Sequence, residues 1–325
     1  MSVSSDLPLD QDQIILATAG YDYSIKLWHT HHGVCLRTLQ HAESQVNTLE
    51  IAPNRNLLAA AGYQHIRMYD LQSSTANFIA DYEADSRNVT SIGFQSEGKW
   101  MYSGGEDKSV KIWDLRTSNV TCPKSFKCNA PVNCVTLHPN QGELFIGDQM
   151  GNIYRFDLRT DCNEQLVNIE LIPDGQSMIL DIDITKDGTE MAVVNSKGRC
   201  FIWSLISGIG DVATHYTPKH RFQAHKRQIL TCKYSPNASI LVTTSADQTA
   251  KLWNTSDYEL LQELKQENQR WVWDAAFSAD SQYVFTASSD SMAKLWNVKT
   301  GQLERQYAGH TKTVTSIAFR DVIAD

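Results

Sequence analysis

Asp247-Gln-Thr-Ala-Lys-Leu-Trp253 decides how this chain is read, because the same pattern occurs three more times. Asp22-Tyr-Ser-Ile-Lys-Leu-Trp28, Asp107-Lys-Ser-Val-Lys-Ile-Trp113 and Asp290-Ser-Met-Ala-Lys-Leu-Trp296 keep the Asp, the Lys and the closing Trp. An apolar–Lys–apolar alternation ending in an aromatic residue reads as a short strand entered through a turn. Working outward, Tyr69, Phe156 and Trp203 occupy the intervening anchor positions, and successive anchors lie 41 to 50 residues apart. A period of that size marks a unit that cannot bury its own apolar face and must stack on copies of itself.

A second pattern recurs between the anchors. Val46–Ile51, Val132–Leu137, Ile229–Tyr234 and Val272–Phe277 are short alternating runs, each followed by a turn such as Ala-Pro-Asn54 or Ser-Pro-Asn237. Period-2 alternation closed by Pro, Asn or Asp is the signature of strand and hairpin turn, and no helical periodicity competes with it. The predicted class is all-β. The Asp…Trp units resemble the WD repeat, which implies a seven-bladed β-propeller of four-stranded blades. Residues 12–325 are predicted to form this one domain, and residues 1–11 a flexible amino-terminal tail.

The ends are out of phase with the repeat. Ile14–Ala19 matches a second strand, whereas Val314–Phe319, preceded by Gly309-His310, matches a first strand. One blade is therefore expected to be built from both chain ends, which closes the ring. Leu158–Pro173, Ser204–His220 and Asp257–Arg270 stretch the period and read as long inter-strand connections, either tolerated insertions or parts of a binding face.

Composition narrows the function. The formal net charge of −8 argues against a nucleic-acid backbone as partner. Met1–Asp10 lacks a basic region followed by an apolar one, and no apolar run reaches the roughly 20 residues of a membrane-spanning helix. Seven cysteines without Cys-x-x-Cys spacing read as buried thiols of a reduced protein of the cytoplasm or nucleus.

The likeness to WD repeats implies a network that locks a blade: a His before the first strand, a hydroxyl in the second, an Asp in the turn and a Trp in the third. His225, Thr243, Asp247 and Trp253 make such a set, and His310, Thr18, Asp22 and Trp28 make another from the two chain ends. Ser103, Asp107, Trp113 and Thr286, Asp290, Trp296 are partial sets. A Ser/Thr-His-Asp trio resembles hydrolase machinery, but a reaction needs one site and this trio recurs without nucleophile-elbow glycines. The sets are read as structural. The second, fourth and fifth repeats depart from the pattern around Gly62–Tyr69, Gly147–Phe156 and Asn195–Trp203. No catalytic, metal or cofactor site is expected. Asp181 and Asp183 read as channel lining, His29, His31 and His32 as a solvated turn, and Gly208-Ile-Gly210 lacks the Lys of a phosphate loop.

One repeat breaks the pattern usefully. Residues flanking the first-strand anchors are mostly polar or modest, but around Val272 they are Arg270, Trp271 and Trp273. Two Trp at i and i+2 point to one side of a strand, and Trp beside Arg is the composition of a protein–protein hot spot. The alternative is packing into the adjacent blade. Gln45, Asn47 and Asn88 hold equivalent places in neighbouring repeats and would form the polar rim.

Several stretches carry a narrower likeness: Ile15–Asp22, Ala59-Ala-Ala-Gly-Tyr-Gln-His-Ile-Arg-Met-Tyr-Asp-Leu71, Gly98–Asp107 and Gly208-Ile-Gly-Asp211. From about residue 14 onward the chain resembles the G-protein-β-like WD-repeat subunits of the target-of-rapamycin (TOR) kinase complexes. That resemblance implies a non-catalytic subunit that binds the carboxyl-terminal lobe of the kinase domain, in raptor-type and rictor-type assemblies. It implies a cytoplasmic location with any endomembrane contact peripheral, and no small-molecule substrate, nucleic acid or membrane insertion. The competing readings are a ubiquitin-ligase substrate receptor or a G-protein β subunit. Each is expected to carry an appendage, for which about eleven residues ahead of the first strand leave no room.

Overall fold

The computed structural model describes residues 15–54, 56–116, 121–166, 177–206, 208 and 213–321. The expected tail, residues 1–11, lies outside them, as do Gly210 and Asp211. Every regular element among the described residues is a β-strand, and every pairing is antiparallel. Five sheets have four strands and one has seven. In the seven-stranded sheet the strand Ala80–Phe94 serves twice: its first part lies outside Tyr63–Asp70, and Val89–Phe94 lies inside Trp100–Gly105. The all-β WD-repeat class read from the sequence is what the sheets form.

The expected pairing of the two chain ends holds. Val314–Arg320 pairs with Ile15–Gly20, placing Thr18 opposite Ile317 in a sheet completed by Ser24–His29 and Val34–Gln40. A flat sheet with two apolar faces needs a neighbour on each side, and the core is divided accordingly. The apolar clusters lie between sheets. One joins Ile25, Leu27 and Leu39 to Leu49, Leu58 and Tyr69, and another joins Leu16 and Trp28 to Phe285 and Tyr307. Each fully buried Leu, Ile or Phe contributes about 1.5–3 kcal/mol, which a lone sheet would forfeit.

Side chains also tie neighbouring innermost strands together. Thr315 Oγ1 donates to Val46 O (2.7 Å), Asn47 Nδ2 to Val89 O (3.0 Å), Thr90 Oγ1 to Val132 O (2.8 Å) and Asn133 Nδ2 to Ile179 O (2.7 Å). One residue further along, Ser316 Oγ accepts from Leu49 N, Ser91 Oγ from Val135 N, Asp181 Oδ2 from Cys232 N and Asp274 Oδ2 from Ile317 N. Equivalent positions thus make equivalent joints.

The structural sets assemble as read. Trp253 Nε1 donates to Thr243 Oγ1 (2.9 Å), Thr243 bonds His225 Nε2 (2.8 Å), and His225 Nδ1 bonds Asp247 (2.9 Å). Trp28, Thr18, His310 and Asp22 repeat the chain across the junction of the two ends, at 2.7, 2.8 and 2.9 Å. In the partial sets Trp113 donates to Ser103 and Trp296 to Thr286, while Asp107 faces Lys111 and Asp290 pairs with the buried Lys294.

The departures have physical replacements. In the second repeat Tyr69 Oη donates to Gln40 O (3.0 Å) and accepts from His41 Nδ1 (3.2 Å). Burial, with Arg67 beside it, holds the His41 pKa down at about 4. Gly62 is required there: a Cβ would stand 2.2 Å from Ser44 Oγ and 2.3 Å from Gln45 O. In the fourth repeat Asp148 accepts from Asn152 N, Asn152 Nδ2 and Tyr154 Oη, and in the fifth Asn195 caps its turn through Lys197 N and Arg199 N. Trp203 lacks the hydroxyl, since Val193 stands ten residues before it, and its indole N–H has no partner among the described residues.

Two expectations fail at the rim. The three stretched segments contain outer strands: Cys162–Gln165, the start of His215–Gln223 and Leu260–Leu264. Among the described residues no strand pairs with these on their outer side, so their sequences lose the alternation that identifies a strand. Cys122 and Cys162 are exposed on such strands, not buried. Opposite the anchors the register slips, skipping Leu36 across from Leu27–Trp28, Lys219 across from Ile202–Trp203 and Leu261 across from Leu252–Trp253.

Two substitutions test the network. Thr243→Val leaves the Trp253 N–H and His225 Nε2 unpaired and should lower stability by about 1–3 kcal/mol. Val193→Thr gives Trp203 the acceptor that four other repeats possess and should raise it by about 1 kcal/mol. Urea midpoints at unchanged slope decide both; a Val193→Thr protein no more stable than the parent contradicts the account of Trp203.

Candidate functional site: the channel mouth

The innermost strands surround a channel of about 1060 Å³. Most of these strands enter it through a bulge, Thr48–Ile51 pairing with its neighbour without a slip. The register slips immediately after the anchor, between Val89 and Ser91, Val132 and Cys134, Ile179 and Asp181, Ile229 and Thr231, and Val272 and Asp274. A bulge leaves one residue without an opposite number and re-aims its side chain. The residues so released are Thr90, Asn133, Leu180, Leu230 and Trp273. Thr90 and Asn133 cross to the next sheet, as do Asn47 and Thr315 at the matching places. Leu180 and Leu230 have no donor and stay half-buried on the channel wall.

Trp273 uses the same freedom differently. Its Nε1 donates to Ser289 Oγ (2.7 Å), and its ring meets Tyr21 edge-on at 6.1 Å and Trp271 at 5.8 Å. Trp271 precedes the strand, 36% exposed, with its carbonyl accepting from Ser289 N. Val272 between them is fully buried. The two Trp rings thus share a side, as alternation suggested, although the bulge at Trp273 brings them there. Arg270 is exposed beside them.

The polar residues form a chain of their own. Gln45 Nε2 reaches Asn47 Oδ1 and Asn47 Nδ2 reaches Asn88 Oδ1, both at 3.5 Å, and Asn88 Nδ2 donates to Glu106 (3.2 Å). The sheet built from the chain ends stands between this chain and the Trp pair: Tyr21 N donates to Thr313 O, and Gly20 O accepts from Val46 N. The structure therefore brings Gln45, Asn47 and Asn88 together, and Trp271 with Trp273, with Tyr21 as the link. Tyr21, Leu180, Leu230 and the exposed Met178 belong to the same mouth and were missed. The signal of Met178, Leu180 and Leu230 was an apolar residue flanking an anchor where most other repeats carry a polar one; Tyr21, in the turn after Ile15–Gly20, had none.

Deeper in the channel the carboxylates have structural employment. Asp181 accepts from Thr231 Oγ1 and Cys232 N and pairs with Lys233 at 3.3 Å; Asp183 accepts from Tyr234 N at 2.6 Å. They are joint-forming acceptors as well as lining. Glu50 opens onto the channel but is ringed by protein, and this desolvation pushes its pKa up to about 7 against the pull of Lys233 and Arg320. At the strand turn His31 and His32 are exposed and His29 half-buried.

Comparison with known proteins adds identity to this geometry. The WD domain, G-beta repeat model matches residues 33–70, 216–254 and 258–297, and a TEP-1 C-terminal beta-propeller model matches residues 87–157. The chain is 53% identical to the mouse target of rapamycin complex subunit LST8 over 319 residues, 96% of each chain. It is 47% identical to the Drosophila melanogaster protein LST8 homolog, over 97% of this chain and 98% of the relative. It is 42% identical to the Saccharomyces cerevisiae target of rapamycin complex subunit LST8, over 95% and 99%.

Glu50 gives a pH test of the channel. Its folded pKa is raised, so its contribution is fully favourable below about pH 4.5 and is lost as pH rises through 7. Glu50→Gln should therefore raise the urea midpoint at pH 8 and leave it unchanged at pH 4. Equal midpoints at pH 8 would mean that the channel solvates this carboxylate fully.

Proposed function

The chain belongs to the LST8 family of target of rapamycin complex subunits, and we propose that it is the non-catalytic subunit that seats and stabilises the kinase domain through the channel mouth. On this reading residues 12–325 form one seven-bladed ring, with Ala80–Phe94 shared between two blades and the ring closed where Val314–Arg320 meets Ile15–Gly20. The innermost strands support it by lying each against the next, Thr48–Ile51 against Val314–Arg320 and Val272–Phe277 against Val314–Arg320 on its other side.

The observation that carries the site assignment is Trp271, an exposed indole that meets Trp273 at a tilt just before a strand. Large aromatic anchors held in place before binding lose little entropy on docking and dominate interface energy. Arg270, Gln45, Asn47 and Asn88 supply the surrounding polar contacts. The partner is the carboxyl-terminal lobe of the TOR kinase domain, in raptor-type and rictor-type assemblies, in the cytoplasm. The histidine–hydroxyl–acid sets serve structure, each being engaged with a buried Trp or Lys, which leaves the ring a surface and not a reaction centre.

Trp271→Ala/Trp273→Ala is the direct test. Co-purification of the TOR kinase should be lost while cooperative unfolding remains at the parent's midpoint. Undiminished kinase recovery would remove the assignment of this face.

A further inference from the structure

The mouth is not uniform, and its asymmetry follows from the bulges. At the position after the anchor Asn47, Thr90, Asn133 and Thr315 turn sideways to the next sheet's carbonyl, closing a joint and leaving a polar arc of amides and hydroxyls. Leu180, Leu230 and Trp273 occupy the same position in three consecutive repeats. None of them donates to the neighbouring strand, so their apolar character does no service to the joints. Met178 and Trp271, one step outside, are both exposed, at 37% and 36%. The apolar positions thus fall on three successive innermost strands, with Met178 and Leu180 on the first, Leu230 on the second and the Trp pair on the third.

The electrostatics are equally one-sided. None of the residues immediately before or after the innermost-strand anchors, from Val46 round to Val314, carries a charge. Below the arc Asp181 is already matched by Lys233 and Cys232 N, and Asp274 by Ile317 N, Ala275 N and Ser316 Oγ. A charged tip seated on Leu180, Leu230 and Trp273 would lose its hydration with no charge among the residues flanking the anchors to replace it, the exposed Arg270 standing one step further out. An apolar tip would gain the area it covers on Leu180, Leu230 and Trp273.

We propose that Met178, Leu180 and Leu230, with the Trp pair, form a receiving site for an uncharged apolar side chain at the tip of the docked kinase segment. The other flank of that segment, amide- or hydroxyl-bearing, meets Asn47 and Asn88. This rests on the reading of the mouth as the kinase-binding face. It adds two specificity-determining residues, Leu180 and Leu230, that lie in different repeats from the Trp pair.

The test replaces the arc without charging it. Leu180→Asn/Leu230→Asn offers the donors that Asn133 uses at its own bulge and abolishes the apolar surface. Affinity of the purified full chain for recombinant TOR kinase domain, by biolayer interferometry, should fall about tenfold or more, with the thermal midpoint not lowered. Leu180→Ala/Leu230→Ala, which asks nothing of the joints, should weaken binding in the same direction and serves where the Asn pair fails to fold. Affinity within about twofold of the parent for a folded variant overturns the receiving site. In that event Trp271→Ala/Trp273→Ala separates the two ideas: loss of binding there keeps the face and rejects the arc, and retained binding rejects both.

Discussion

The pairing of Val314–Arg320 with Ile15–Gly20 is the contact on which every other interface leans. Each sheet is apolar on both faces, so each cluster of the core exists because two neighbours face each other. Without the sheet made from the chain ends, Phe285 and Tyr307 would lose Leu16 and Trp28 on one side. Leu49, Leu58 and Tyr69 would lose Ile25 and Leu27 on the other. Bringing together ends some 300 residues apart costs about 5 kcal/mol of chain entropy, since closure entropy rises only with the logarithm of length. A few buried side chains at about 1.5–3 kcal/mol each offset that. The His310–Thr18–Trp28 network then fixes the register of the pairing, because His310 precedes the last strand while its partners belong to the first two.

The site follows from the same economy of position. A bulge recurs at the start of the innermost strands, and the residue it frees has two uses. With a hydrogen-bond donor it fastens one sheet to the next. Without one it becomes wall at the channel mouth. The fold therefore sets where a functional side chain can appear, and the choice of Asn, Thr, Leu or Trp at one place per repeat sets what it does. Trp271 and Trp273 differ from mortar such as Trp253 in exactly this respect only: the framework holds them but does not need them.

How much of this was legible in the sequence depends on what each residue faces. Strands covered on both sides, such as Val272–Phe277, announce themselves by alternation, and the Asp247–Trp253 pattern betrays the network that demands it. The split sheet was legible because Thr18, Asp22 and Trp28 lacked a preceding His that the far end supplied. Outer strands were not: Cys162–Gln165 is exposed at every residue, and with nothing to pack against there is no pattern to read. The bulges were hidden too, because the slip depends on which carbonyl the neighbouring strand offers. Leu180 and Leu230 therefore looked like ordinary strand residues, although the polar residues at equivalent positions marked them as exceptions.

The slips opposite the anchors have a consequence beyond the single chain. An outermost strand presents a row of unpaired N–H and C=O groups that another copy could extend. Leu36, Lys219 and Leu261 interrupt that row within a strand of five to nine residues, so the spacing of donors and acceptors changes partway along each edge. A straight strand from a second molecule can match one half of such an edge but not both. The skipped residue thus makes each of these three edges a poorer template for a strand of a second molecule than an unbroken edge would be.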